Sequence, residues 1–266
     1  MNGIGIAGSG RIARSFTARL IEAGMKVTTF GVSTADGVAD RSVRAAQSFA
    51  SGLQTLILVP ADIAETEALL FEEQGFARNT KSLGTIVVAA TLSPRYVRAL
   101  RGRIESRIAL IDAPVIGNGR AADEGRITLF LGGSQDRIAM LKPVFEIVSK
   151  KTVRMGGFGS AMAAKVMNDF LSATTTAVTR IALDWAEAQG IDEARIVELA
   201  CQGGEGADAP EDGPSYCPIG QQTENSIEML IQEVEHAFDS ALAGAHLTPP
   251  RAFEDMMRNV KSRHLH

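Results

Sequence analysis

The chain has 266 residues, 45% of them hydrophobic and 22% charged, with a formal net charge of -4. This is an ordinary globular composition, long enough for one large domain or two smaller ones, and its interspersed charges give neither a basic nucleic-acid stripe nor a polybasic membrane anchor. No apolar run reaches membrane-spanning length and no leader-like segment opens the chain, so the expectation is a cytoplasmic protein that acts on a small molecule, with no nucleic acid and no membrane as partner.

In chain order, the apolar run 3–7 flows into Gly8-Ser9-Gly10-Arg11-Ile12-Ala13 and then into a helix carrying Ile12, Phe16, Leu20 and Ile21 at helical spacing. Strand, glycine turn and helix in this order make a phosphate cradle. Gly8 permits the tight turn, Gly10 lets backbone approach a diphosphate, and Ala13 lets the helix close on the strand. Gly8, Ser9, Gly10, Arg11 and Ile12 are therefore expected to bind a dinucleotide. A second strand, 26–31, leads to Val32-Ser33-Thr34, where an NAD-specific fold would place an acid. None is there. Ser33 and Thr34 suit a 2′-phosphate, with Arg11 or Arg41 to supply charge, so NADP is the expected cofactor and NAD the alternative. The bland reading of the same residues is a loop start beside solvated arginines.

Strands 55–59, 85–89, 108–112 and 127–132 follow, alternating with helices that include 61–71 and 94–106, the latter with Pro94 at its first position. That alternation predicts an α/β, doubly wound, open parallel sheet. Asp112-Ala113-Pro114-Val115-Ile116-Gly117-Asn118 runs from a strand end into a glycine-bearing loop, which in such a sheet belongs at the ligand crevice; a plain strand exit is the competing reading. The rhythm then changes to a long helix over 160–189, a helix over 191–200, a polar stretch over 203–222, and helices over 224–243 and 250–261. A Rossmann domain at 1–157 and an all-α domain at 158–266 are expected.

On the long helix, Lys165, Asn168, Asp169 and Ser172 fall at i, i+3, i+4 and i+7, one polar stripe among apolar neighbours. A solvated face with a Lys165–Asp169 pair, worth only about 0.2–0.5 kcal/mol, would account for it. The chemical reading makes Lys165 a proton donor to a forming alkoxide, with Asp169 holding it charged. His236, His246, His264 and His266 lack ligand spacing, so no metal site is expected; Cys201 and Cys217 read as reduced thiols, and Trp185 as a packing residue.

Several of these segments together resemble the β-hydroxyacid dehydrogenases, the group of 3-hydroxyisobutyrate dehydrogenase and tartronate semialdehyde reductase, related in fold to 6-phosphogluconate dehydrogenase. The turn after Gly5 resembles the family's dinucleotide fingerprint, Leu58-Val59-Pro60 its Met-Leu-Pro loop, and Ala90-Thr91-Leu92-Ser93-Pro94 its Ser-Thr-x-Ser-Pro. Asp112-Ala113-Pro114-Val115 matches the start of its substrate motif, and the stretch from Gly159 to Asn168 matches the one bearing its essential lysine. The resemblance implies Val59, Pro60 and Thr91 beside the cofactor, Lys165 as general acid and base, and a homodimer formed through the helical domains. It also implies a substrate site at Ile116, Gly117, Asn118, Asn168 and Asp169.

Three departures bear on the substrate. Ile116-Gly117-Asn118 replaces the family's Ser-Gly-Gly, Asn168-Asp169 replaces its Asn-Asn, and Gln232-Glu233 stands where it often has Lys-Asp. A lost hydroxyl and an added carboxylate disfavour an anionic substrate. The expected function is hydride transfer between a nicotinamide and a small carbonyl or alcohol of 3-hydroxyacid or semialdehyde type, with a neutral substrate compatible. An imine reductase is one alternative, since Asp169 would attract an iminium. A non-catalytic NADP-binding sensor or scaffold is the other.

Overall fold

The computed structural model of the chain describes residues 3–32 and 43–202. Five strands, β1 (Ile4–Ala7), β2 (Val27–Phe30), β3 (Thr55–Leu58), β4 (Thr85–Val88) and β5 (Ala109–Asp112), run parallel in the order β2-β1-β3-β4-β5. Beyond them β7 (Thr128–Gly133) pairs antiparallel with β5 and with β6 (Val115–Ile116), and parallel with β8 (Lys151–Gly156), giving an 8-stranded sheet.

The doubly wound Rossmann sheet is as expected, and the antiparallel pairing of β7 with β5 and β6 is an addition to its parallel part. A parallel return needs a crossover that spans the sheet, and α6 (Gly119–Asp123) is only 5 residues long, so the chain turns back on itself instead. β6 and β8 had no clear signal in the sequence. β6 is 2 residues long, and β8 sits at the sheet margin with exposed Lys151, Thr152 and Arg154 in place of an apolar run.

Alternate residues of the strands feed two cores, as a parallel sheet covered on both faces requires. Ile4, Ile6, Ile57, Val59 and Val87 pack with Phe16 and Leu20 of α1 (Arg11–Glu22) and with Leu141, Val144 and Phe145 of α7 (Gln135–Val148). Leu56, Leu58, Ile86 and Val88 face the other side. There they meet Phe49 of α2 (Val43–Ala50), Leu69 and Leu70 of α3 (Ile63–Leu70), Phe76 of α4 (Phe76–Asn79), and Val97 and Leu100 of α5 (Pro94–Arg103). Phe30, Phe49 and Phe76 form an aromatic cluster with centroids 5.0–5.8 Å apart, and Gly5 leaves room for it: a Cβ there would lie 2.6 Å from Phe49 Cζ.

The chain divides into two compact units, the first ending at Val166 and the second beginning at Met167. The long helix α8 (Ser160–Ala188) starts in the first unit, and Met162 in its first turn belongs to the core of α3–α5. In the second unit α8 continues to a turn at Gly190, with φ at +71°, and α9 (Glu193–Gln202) follows. Leu183 and Ala186 are buried, but Trp185 is 66% exposed, which corrects its reading as a packing residue. Helical rotation sets it away from the face that carries Leu183 and Ala186.

Among the described residues no helix is long and apolar enough to cross a membrane, and no cluster of His, Cys, Asp and Glu could hold a metal ion. The expected helices at 224–243 and 250–261, the polar stretch 203–222, Ser33, Thr34, Arg41, Cys217, Gln232, Glu233 and the histidines lie outside the described residues.

Candidate functional site: a dinucleotide cradle and an anchored lysine helix

β1 lies between β2 and β3, so strand order reverses there and a crevice opens beyond the carboxyl ends of the strands. The registers align Ala7 with Phe30 and Leu58, Leu58 with Val88, and Val88 with Asp112. The residues that follow, Gly8, Val59, Ala89 and Ala113, therefore form one edge.

Gly8 has φ at +143°, and a Cβ on it would sit 2.0 Å from the Val59 carbonyl oxygen. Its bareness thus serves the contact between the β1 turn and the end of β3 as well as the turn itself. Gly10 is different. It caps α1 with φ at -81° and no side-chain hydrogen bond, and a Cβ there would meet nothing within 4 Å. The first turn of α1 holds no acid, and Ala13 is fully buried against the sheet. The helix therefore presents its uncapped N–H groups and positive dipole end to open space, which fits a dinucleotide diphosphate.

Around this cradle, Ser9 Oγ donates to Glu65 Oε2 at 3.2 Å, and the Ala61 N–H donates to the same oxygen at 2.7 Å. Asp62 caps α3 by accepting the Glu65 N–H at 2.8 Å. This network joins the turn after Val59 and Pro60, both buried, to the β1 turn. Thr91 is exposed beyond β4, and the next residue, Leu92, donates its N–H to Met162 Sδ at 3.3 Å.

Beyond β5, Ile116 is half-buried, while Gly117, with φ at +125°, and Asn118 are exposed. Asn118 caps α6, its Oδ1 accepting the Ala121 N–H at 2.9 Å. Its amide NH2 is thereby the part that can donate to a substrate. Arg11, expected at a 2′-phosphate, has its guanidinium on Asp123, with Nε and Nη2 at 2.9 and 2.6 Å from Oδ2.

Asp112 is fully buried, and its two carboxylate oxygens accept the N–H groups of Gly159 at 2.8 Å and Met162 at 2.7 Å. The end of β5 is thus bonded to the first turn of α8. Gly132 makes room for it, since a Cβ there would lie 2.2 Å from Asp112 Oδ1. Burial pushes the Asp112 carboxyl up, and the N–H groups of Met162 and Gly159 pull it back. Lys165, half-buried, stands three residues past Met162 and inside the first unit, whereas Asn168 and Asp169 follow on α8 within the second.

Asp112 is legible in the sequence only as the opening of the substrate motif, and no local pattern marks Glu65, Ser15 or Asp123. An Asp beside a strand end and a Gly-rich helix start was the signal available for Asp112.

A Rossmann sheet with an open glycine cradle at its switch point defines a dinucleotide-binding protein. Residues 3–157 match the NAD binding domain of 6-phosphogluconate dehydrogenase, and the chain belongs to that family. The mitochondrial 3-hydroxyisobutyrate dehydrogenase of Drosophila melanogaster is 27% identical over 202 residues, covering 74% of this chain and 62% of that enzyme. The match thus spans less than two thirds of that relative's length. The 2-hydroxy-3-oxopropionate reductase of Escherichia coli is 28% identical over 203 residues, covering 73% of this chain and 68% of the reductase. Among solved structures, Mycobacterium tuberculosis 3-hydroxyisobutyrate dehydrogenase with L-serine shares the fold with a TM-score of 0.75 at 21% identity, covering 97% of this chain and 90% of that one. An imine reductase from Myxococcus stipitatus shares it with a TM-score of 0.66 at 16% identity, covering 98% and 92%.

Proposed function

We propose that the protein is an oxidoreductase that transfers a hydride between a nicotinamide dinucleotide and a small carbonyl or alcohol, with Lys165 managing the proton. The observation that carries this reading is the anchoring of the Lys165 helix. Through Asp112, the first turn of α8 is bonded to a strand end on the same sheet edge as the cradle. The diphosphate would be held by the turn Gly8–Ile12, and the adjoining nucleoside groups by Val59, Pro60 and Thr91. When bound, the nicotinamide supplies or accepts the hydride.

In reduction, the Lys165 ammonium donates a proton to the carbonyl oxygen as the alkoxide forms; in oxidation, the neutral amine takes the proton from the alcohol. Ile116, Gly117 and Asn118 line the substrate side, with the Asn118 NH2 donating to a substrate oxygen. Asn168 orients Lys165 or the substrate, and Asp169 selects against anions. The relatives' names support a 3-hydroxyacid or semialdehyde type of substrate. The changed residues 116–118 and 169 favour a less anionic member of it. NADP is the preferred cofactor on the strength of Ser33 and Thr34. The chain from 158 onward serves as the helical substrate and dimerisation domain of a cytoplasmic homodimer.

A second reading, reduction of a C=N bond, is favoured by Asp169 alone, because a carboxylate one turn beyond Lys165 attracts an iminium. A substrate panel of semialdehydes, neutral aldehydes and cyclic imines with NADPH and NADH decides between them. Turnover of aldehydes that disappears in Lys165→Ala supports the first reading; turnover confined to imines replaces it with the second.

A further inference from the structure

Arg11, Ser15 and Arg19 stand at i, i+4 and i+8 on α1, along one side of the helix. All three meet the segment 117–125. Arg11 Nε and Nη2 both donate to Asp123 Oδ2, and Ser15 Oγ donates to Asp123 Oδ1. Ser15 is 3% exposed, whereas the Arg11 and Asp123 side chains are 55% and 45% exposed, so the ion pair lies on the α1 surface and the hydroxyl ties it to the buried side of the helix. The Ser15 hydroxyl and the Arg11 guanidinium hold its carboxyl below the usual range.

Gly119 leaves room for the Arg11 stem, and Gly125, with φ at +66°, lies against the Arg19 guanidinium. A Cβ on Gly119 would lie 2.5 Å from Arg11 Cδ, and a Cβ on Gly125 would lie 2.3 Å from Arg19 Cζ. Arg19 also donates from Nε to the Ile147 carbonyl at 2.9 Å. An exposed ion pair alone contributes little to stability. Three donor groups from two residues on one carboxylate, with Gly119 where the Arg11 stem crosses, make a more determined joint.

We propose that Arg11, Ser15 and Asp123 form a clasp that sets the substrate loop on the cofactor helix, which makes Asp123 a positioning residue for substrate binding. The proposal rests on the reading that Gly117 and Asn118 face the substrate. Arg11 is the first residue of α1, directly after the cradle glycine, and Asp123 is the last of α6, whose cap is Asn118. Order imposed on the turn by a dinucleotide would therefore pass through the clasp to Asn118, and the coupling acts in both directions.

Hydrogen exchange on the whole protein tests this, with Asp123→Asn as the variant and Glu124→Gln as the control. Glu124 pairs with Arg120 and Arg126 and has no bond to α1 among those seen. In the free protein, Asp123→Asn should speed exchange within 117–125 about tenfold while Glu124→Gln leaves it unchanged. Saturating NADPH should slow exchange there in the wild type and not in Asp123→Asn. In turnover assays KM for the carbonyl substrate should rise about tenfold with kcat little changed. The conservative variant Asp123→Glu, which keeps a carboxylate for Arg11 and Ser15, should recover both exchange and KM. Unchanged exchange in free Asp123→Asn overturns the clasp, and protection by NADPH that survives the substitution overturns the coupling. If the wild type bound neither NADPH nor NADH, the oxidoreductase reading and the coupling would fall, whereas the free-protein comparison would still decide the clasp.

Discussion

Gly8 and Gly10 stand two residues apart in one turn, yet an added methyl would meet opposite fates at the two positions. At Gly8 it would strike the Val59 carbonyl on a backbone with φ at +143°. Gly8→Ala should therefore lower stability by roughly 2–4 kcal/mol, read by urea unfolding, and remove nucleotide binding with it. At Gly10 the methyl would enter the open space before α1. Gly10→Ala should keep stability within about 0.5 kcal/mol while weakening dinucleotide binding, and unimpaired binding would argue against the cradle. The glycine pattern was plain in the sequence, but the two reasons for it were not. One depends on Val59, a residue of a distant strand brought alongside by the sheet. Asp112 was obscured in the same way: its carboxylate answers to Gly159 and Met162, partners 47 and 50 positions away that no local periodicity reveals.

The start of α8 depends on a side chain outside the helix, Asp112 of β5. Asp112→Ala would leave two buried N–H groups at its start without their acceptor, a loss of roughly 2–4 kcal/mol by calorimetric or urea unfolding. Asp112→Asn keeps the shape but turns one acceptor into a donor that faces an N–H. It should lower kcat more than KM, because Lys165 shifts while the loop 116–118 stays. A variant with equal loss of stability elsewhere in the core, Val97→Ala, should leave kcat near the wild-type value, and an equal fall in both would reduce Asp112 to a structural role. Elements with strong periodicity, such as α1, α5 and α8, were legible almost to their ends. β6 and β8 were not, being too short or too polar to show an apolar run, and the direction of β7 depended on how far α6 could reach.

For the molecule as a whole, acidic pH acts through carboxylates of two kinds. Glu67, hydrogen-bonded by Arg103 and Tyr96, and Asp123, hydrogen-bonded by Ser15 and Arg11, both have carboxyls held below their ordinary values. Each releases its proton more readily folded than unfolded, so each stabilises the fold above the ordinary carboxylate range, and that stabilisation is lost as pH falls through the folded value. Asp112 has the opposite sign: burial raises it, so its charged form costs stability at neutral pH and the cost is relieved on acidification. The unfolding midpoint should fall below about pH 4, and Glu67→Gln should shrink that fall; an undiminished fall in Glu67→Gln would remove Glu67 from the account.

Lys165 is the point on which the functional account turns, and comparing wild type with Lys165→Ala tests it most directly. NADPH and NADH affinities would be measured by titration, and turnover of aldehydes, semialdehydes and cyclic imines would follow on the same preparations. The account predicts nucleotide affinity kept within about twofold in Lys165→Ala and carbonyl turnover reduced by about 10²–10⁴. Carbonyl turnover undiminished in Lys165→Ala, with the nucleotide bound as in the wild type, would contradict it.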